Sequence, residues 1–162
     1  WMHRPGLMLY GISPFDDDDS SNLLPALRWR ASIVARKQVP AESRVSYAGT
    51  WIAPRPTDLA VIGVGYADGY SRLLSNRGEV LIAGRRAPVV GRVCMDLMMV
   101  DVTDLISAGL QDRCALGQAV TLLGEDGADA ISAKEIARAT QTIPYEVLTG
   151  ISSDISRCFS GR

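Results

Sequence analysis

The 162-residue chain carries 17 basic and 18 acidic residues, a formal net charge of -1, and 47% hydrophobic residues, the balance of one soluble domain with a core. No basic field invites nucleic acid or an anionic membrane, and no apolar run nears the roughly 20 residues that span a bilayer. A single histidine, His3, and scattered cysteines at 94, 114 and 158 leave no material for a histidine triad, a multi-histidine metal site or a disulfide framework.

Residues 3–11 read as a polar turn running into a short buried strand, the end of a preceding element. Asp16 to Asp19 with Ser20, Ser21 and Asn22 read as a solvated linker. Short apolar segments then recur at 31–35, 44–50, 59–64, 79–82, 87–90, 97–102 and 119–123, separated by Gly, Pro, Asn and Asp. That spacing predicts a mainly β domain, a compact barrel or sandwich. Arg77-Gly78 and Ala83-Gly84-Arg85 look like tight turns. Ser132 with Glu135 three residues on has capping-box spacing and opens a helix to about Thr140. Pro144 sits in the first turn of a second short helix, with Gly150 as its stop. Without a secretory signal layout or paired cysteines, a reducing cytoplasm is the expected compartment.

Four clusters could carry chemistry. In Arg4-Pro5-Gly6-Leu7 a glycine lets backbone N–H groups approach a phosphate, although a turn glycine beside a surface arginine explains it equally. Val45-Ser46-Tyr47-Ala48-Gly49 places a tyrosine in a β-segment, where tyrosines ordinarily pack. Gly63 to Arg72 is a strand entering a glycine-rich loop with Tyr66, Asp68 and Tyr70. Its glycines lack the spacing and the βαβ setting of a dinucleotide fingerprint. In Gly91 to Val102, Asp96 and Asp101 bracket an apolar run, and Cys94 has no histidine base beside it. The residues alone do not rank Tyr47 above Tyr66.

In order and spacing these clusters resemble the blocks of bacterial alanine racemases: RPGLxLYG, VSYxxT, GYADGY and GRVCMD. The similarity runs from about Arg4 to Glu146 and takes in the SAKEIA and IPYEVLTGIS segments. The resemblance implies two regions. Residues 1–22 would be the last strand of an N-terminal (β/α)8 barrel plus its linker, and residues 23–162 the C-terminal β domain. It further implies the cofactor pyridoxal 5'-phosphate, alanine as substrate, D-alanine as a peptidoglycan precursor, and a homodimer with shared active sites.

Carried over block by block, Tyr47 matches the acid/base for L-alanine, on the face opposite the Schiff-base lysine. Racemisation needs one group to remove the α-proton and another to return one from behind. A free tyrosine titrates near pH ~10, so the family's phenolate needs help from neighbours; the barrel histidine that provides it is not in this chain. Arg4 matches the cation facing the pyridine nitrogen, which discourages ring protonation and side reactions. Gly6 and Leu7 match backbone contacts to the phosphate. Ser153 matches a side-chain phosphate contact, although the residues after it depart from the family pattern. Tyr66 matches a tyrosine lining the substrate's access path. Met95 matches a residue whose backbone meets the substrate carboxylate, and Asp96 is expected to orient that loop. Neither Lys37 nor Lys134 sits in a matching motif, so both are expected at the surface and the chain alone is expected to be inactive. Competing readings are a non-catalytic β domain for binding or assembly, and the same domain of a racemase for serine or lysine.

Overall fold

A computed structural model of the chain describes residues 1–15 and 23–159. The acidic linker at 16–22 lies outside the described residues.

The organising strand is β1 (Trp29–Val39). Its first residues pair antiparallel with β8 (Ala119–Asp126), and from Ile33 onward it pairs with β4 (Thr57–Ile62). One strand thus serves two partners, with register shifts between Trp29 and Arg30 and between Ile33 and Ala35. Such bulges bend a strand and increase its twist. β5 (Glu79–Ile82), β6 (Arg85–Pro88) and β7 (Met98–Asp101) complete the path, in the order β6-β5-β8-β1-β4-β7. The curl brings the two ends together: Val89 bridges Val100, and the Val90 N–H donates to the Met99 carbonyl at 2.9 Å. The sheet closes on itself, a mainly β barrel as expected. Closure removes the exposed edges that an open sheet would present.

The barrel interior holds Ile33, Ile62, Val80, Ile82, Val89, Met98, Val100 and Leu122, each fully buried. Each such side chain contributes about 1.5–3 kcal/mol. Tyr70 joins them, 2% exposed and tilted against Trp29 at 6.1 Å between ring centroids. Burial pushes its phenol well above the usual tyrosine range, so Tyr70 is a neutral packing residue. The β5–β6 hairpin turns through Ala83 and Gly84, both at positive φ (52° and 73°), the geometry that matches the strand twist.

Two smaller pieces flank the barrel. β9 (Asp129–Ile131) pairs with the end of β8, and α1 (Thr103–Ser107) follows β7; neither is marked by a clear sequence pattern. α2 (Ala133–Thr140) begins as its spacing predicts, the Glu135 N–H donating to Ser132 Oγ at 3.0 Å. Its buried residues Ala133, Ile136, Ala137 and Thr140 recur at helical spacing and face the core. α3 (Pro144–Thr149) carries proline in its first turn.

Two expected strands are absent. Residues 3–11 do not extend; Gly6–Tyr10 form a 3-10 turn, closed by Met8 N–H to the Pro5 carbonyl and Gly11 N–H to the Met8 carbonyl. No described strand lies alongside, so the segment has no ladder to extend along and folds onto its own local hydrogen bonds. The 44–50 segment also breaks. Only β2 (Arg44–Val45) and β3 (Trp51–Ile52) pair, and a tight turn at Tyr47–Gly49 separates them.

Arg86 fastens the flanking pieces together. Its guanidinium meets Asp129 at 2.8 Å, Glu79 at 2.9 Å and Glu135 at 2.5 Å, joining β5, β9 and α2. Those bonds, Arg86 foremost, hold the Asp129 carboxyl below its usual value near 3.8. A depressed carboxyl stabilises the fold above the unfolded-state value and ceases to do so as pH falls through the folded one. Arg86→Gln is therefore expected to destabilise the fold at neutral pH, modestly because every partner is partly exposed. Urea unfolding should show that deficit shrinking below about pH 4; an equal deficit at low pH would remove the linkage.

Candidate functional site

Three loops converge outside the barrel wall. The first is the Tyr47 turn. Ser46 sits at φ 63°, ψ -176°, Ala48 at φ 60° and Gly49 at φ 54°. Ser46's conformation is nearly reserved for glycine. The result is a side chain thrown outward: Tyr47 is 74% exposed. The expected packing tyrosine of a strand is instead the tip of a strained turn.

The second loop follows β4. The Gly65 N–H donates to Asp68 Oδ2 at 2.9 Å, and Tyr66–Asp68 form a single 3-10 turn. The third precedes β7. It is turned by the Cys94 N–H donating to the Leu97 carbonyl at 2.9 Å. The Tyr66 and Ala67 N–H groups donate to the carbonyls of Cys94 and Met95, at 2.9 and 3.0 Å, which ties the second loop to the third. The approach is close at Gly65, where a Cβ would lie 2.1 Å from the Met95 oxygen. Asp96 makes no side-chain hydrogen bond among the described residues, so backbone contacts, not Asp96, orient this loop.

Together these loops line one open cavity of about 750 Å³, with Tyr47, Tyr66 and Met95 on its wall. Arg72, Arg92 and Asp96 line it too, so two cations face one carboxylate. Among the described residues the Met95 N–H has no acceptor, which leaves it open to an anionic group. Sequence reading missed Ser46, Arg72 and Arg92 as cavity residues. All three lie within the clusters already quoted, Ser46 in 45–49, Arg72 at the end of 63–72 and Arg92 in 91–102, but none carried a role there.

The other four site residues fall elsewhere. Arg4 and Gly6 are exposed and Leu7 is buried on the N-terminal 3-10 turn. The hydroxyl of Tyr145, on α3, would lie 3.3 Å from a Cβ at Gly6. Ser153 lies exposed beyond α3, in a segment held to the second loop by the Ser152 N–H donating to the Asp68 carbonyl at 2.9 Å. None of the four lines the cavity of Tyr47. The Gly6 and Leu7 N–H groups have no acceptors among the described residues. With nearby Tyr145 they make a donor set of the kind a phosphate takes. Neither lysine lines the cavity: Lys37 is exposed on β1, and Lys134 is half-buried on α2, its Nζ donating to the Phe15 carbonyl at 2.6 Å. Among the described residues there is no group of three or more side chains suited to a metal and no helix long and apolar enough to cross a membrane.

Comparison with known proteins identifies the family and the fold. The family described as "Alanine racemase, C-terminal domain" matches residues 26–159. The chain is 44% identical to the alanine racemase of Halothermothrix orenii over 162 residues, covering 99% of itself and 41% of that protein. Its fold superposes on the biosynthetic alanine racemase of Pseudomonas aeruginosa with a TM-score of 0.84 at 36% identity, covering 96% of this chain and 41% of that one. The Bartonella henselae alanine racemase with covalently bound pyridoxal phosphate superposes at 0.81 with 32% identity, over 91% of this chain and 38% of that one. The chain thus spans about two fifths of the length of the relatives it matches.

Proposed function

The chain belongs to the alanine racemase family as its C-terminal domain, and on that premise we propose that it supplies the L-alanine-side acid/base, Tyr47, of a pyridoxal-phosphate-dependent racemase. The observation that carries this reading is the convergence of Tyr47, Tyr66 and Met95, from three separate loops, on one cavity wall. In this reading the Tyr47 phenolate takes the α-proton from L-alanine, and in the reverse direction its hydroxyl delivers one to that face of the substrate carbon. The free Met95 N–H, flanked by Arg72 and Arg92, receives the substrate carboxylate. Tyr66 borders the access path. Pyridoxal phosphate, when bound, supplies the electron sink that makes an amino acid's α-proton removable.

Arg4, Gly6, Leu7 and Ser153 would hold that cofactor, Arg4 toward its pyridine nitrogen and the others toward its phosphate. Their separation from the Tyr47 cavity supports active sites shared between two subunits: one subunit's Tyr47 and Met95 would face the cofactor held by its partner's barrel. The proposed enzyme is a homodimer that acts on alanine in the cytoplasm.

The reading makes a direct prediction about the isolated chain. With neither Lys37 nor Lys134 at the site, purified chain supplied with pyridoxal phosphate and L-alanine should form no D-alanine. Chiral chromatography of the reaction mixture checks this. Racemisation by the chain that disappears in Tyr47→Phe would refute the need for a group from outside it.

A further inference from the structure

We propose that Ser46 is the positioning residue for Tyr47, held in a strained conformation by its bond to the loop that carries Met95; this rests on the reading of Tyr47 given above. Ser46 occupies a backbone region that side chains other than glycine avoid, at φ 63° and ψ -176°. Such strain persists only where the surroundings over-determine it. The restraint is visible: Ser46 Oγ donates to the Arg92 carbonyl at 2.8 Å. The Gly49 N–H donates back to the Ser46 carbonyl at 3.1 Å, closing the turn.

The far end of the turn is fastened as well. Asn76 Nδ2 donates to Thr50 Oγ1 at 3.2 Å, and Asn76 Oδ1 accepts from the Gly91 N–H at 2.6 Å. The Tyr47 turn is therefore pinned at both ends to the segment that leads to Met95. Tyr47 itself makes no hydrogen bond among the described residues and is largely exposed, so its placement depends on its backbone alone. A group that must meet a substrate carbon gains from such preorganisation, and a displacement of an ångström costs about a hundredfold in rate.

Two substitutions separate anchor from strain. Ser46→Gly removes the hydroxyl and relaxes the backbone; Ser46→Ala removes the hydroxyl but keeps the Cβ that makes the conformation costly. In the 162-residue chain, the Ser46→Gly variant should melt no lower than the parent and the Ser46→Ala variant lower. In both, the Gly49 amide should exchange with solvent faster by about tenfold or more. In a racemase reassembled by joining the chain to a relative's cofactor-binding barrel, kcat should fall by about tenfold to a hundredfold in both variants. KM should move by less than about threefold.

Parental amide exchange in Ser46→Gly overturns the inference, as does a fall in its melting temperature that accounts for its loss of rate. Tyr47→Phe is run in parallel. If it is inactive while Ser46→Gly keeps the parental kcat, this inference alone falls. If Tyr47→Phe keeps its activity, the reading of Tyr47 fails and this inference falls with it.

Discussion

Replacing Tyr47 by phenylalanine should lower racemisation by about a hundredfold to ten-thousandfold in the reassembled enzyme, with little change in KM. The ring and its exposed position are kept; only the hydroxyl is lost. In the proposed mechanism the phenolate takes the proton in one direction and the hydroxyl returns it in the other, so both directions of racemisation should slow together. Exchange without inversion should not. In the proposed mechanism D-alanine's α-proton leaves from the opposite face to a group outside this chain, so D-alanine incubated in deuterium oxide should still take up deuterium. Mass spectrometry after chiral separation measures both. Equal loss of D-alanine exchange and of racemisation would place Tyr47 in cofactor or substrate binding instead. Tyr66→Phe offers the internal comparison: in its proposed place on the access path it should alter KM more than kcat.

The second large effect is expected at Gly65. A methyl group there meets the Met95 and Cys94 carbonyl oxygens at 2.1 and 2.3 Å, backbone atoms that cannot turn aside as a flexible side chain would. Gly65→Ala must therefore force the Tyr66 and Met95 loops apart. It should break the two hydrogen bonds from Tyr66 and Ala67 N–H that hold them together. The expected cost is about 3 kcal/mol, at the upper end for overpacking, read as a lowered urea midpoint with unchanged slope. The barrel should survive, because its core residues lie beyond this contact, but the cavity should not. A Gly65→Ala chain of parental stability would show that the two loops are free to separate.

How much of this was legible beforehand varied with how local the cause was. α2 could be read from Ser132, Glu135 and the spacing of Ala133, Ile136, Ala137 and Thr140, since capping and amphipathicity are settled within a few residues. The barrel could be read as a series of short apolar segments, although its closure through Val89 and Val100 could not. Pairing between residues far apart leaves no mark in either segment alone. The segment at 3–11 was read as a strand because its apolar residues suit one, but a strand needs a partner, and Gly6–Tyr10 has none among the described residues.

The site divides the same way. Tyr47, Tyr66 and Met95 were singled out together because their blocks resemble those of a family, whereas the residues themselves did not rank Tyr47 above Tyr66. Burial does not rank them either: both are exposed on the cavity wall, while Tyr70 fills the core beside Trp29. What the sequence by itself determined is the β-rich class, the helical tail, the family, and the lack of any histidine triad. What only the tertiary structure decided is which tyrosines are exposed, which loops meet, and that Ser46 is strained while it bonds the Arg92 carbonyl. Those outcomes depend on contacts between segments tens of residues apart, whose energies no single stretch of chain contains.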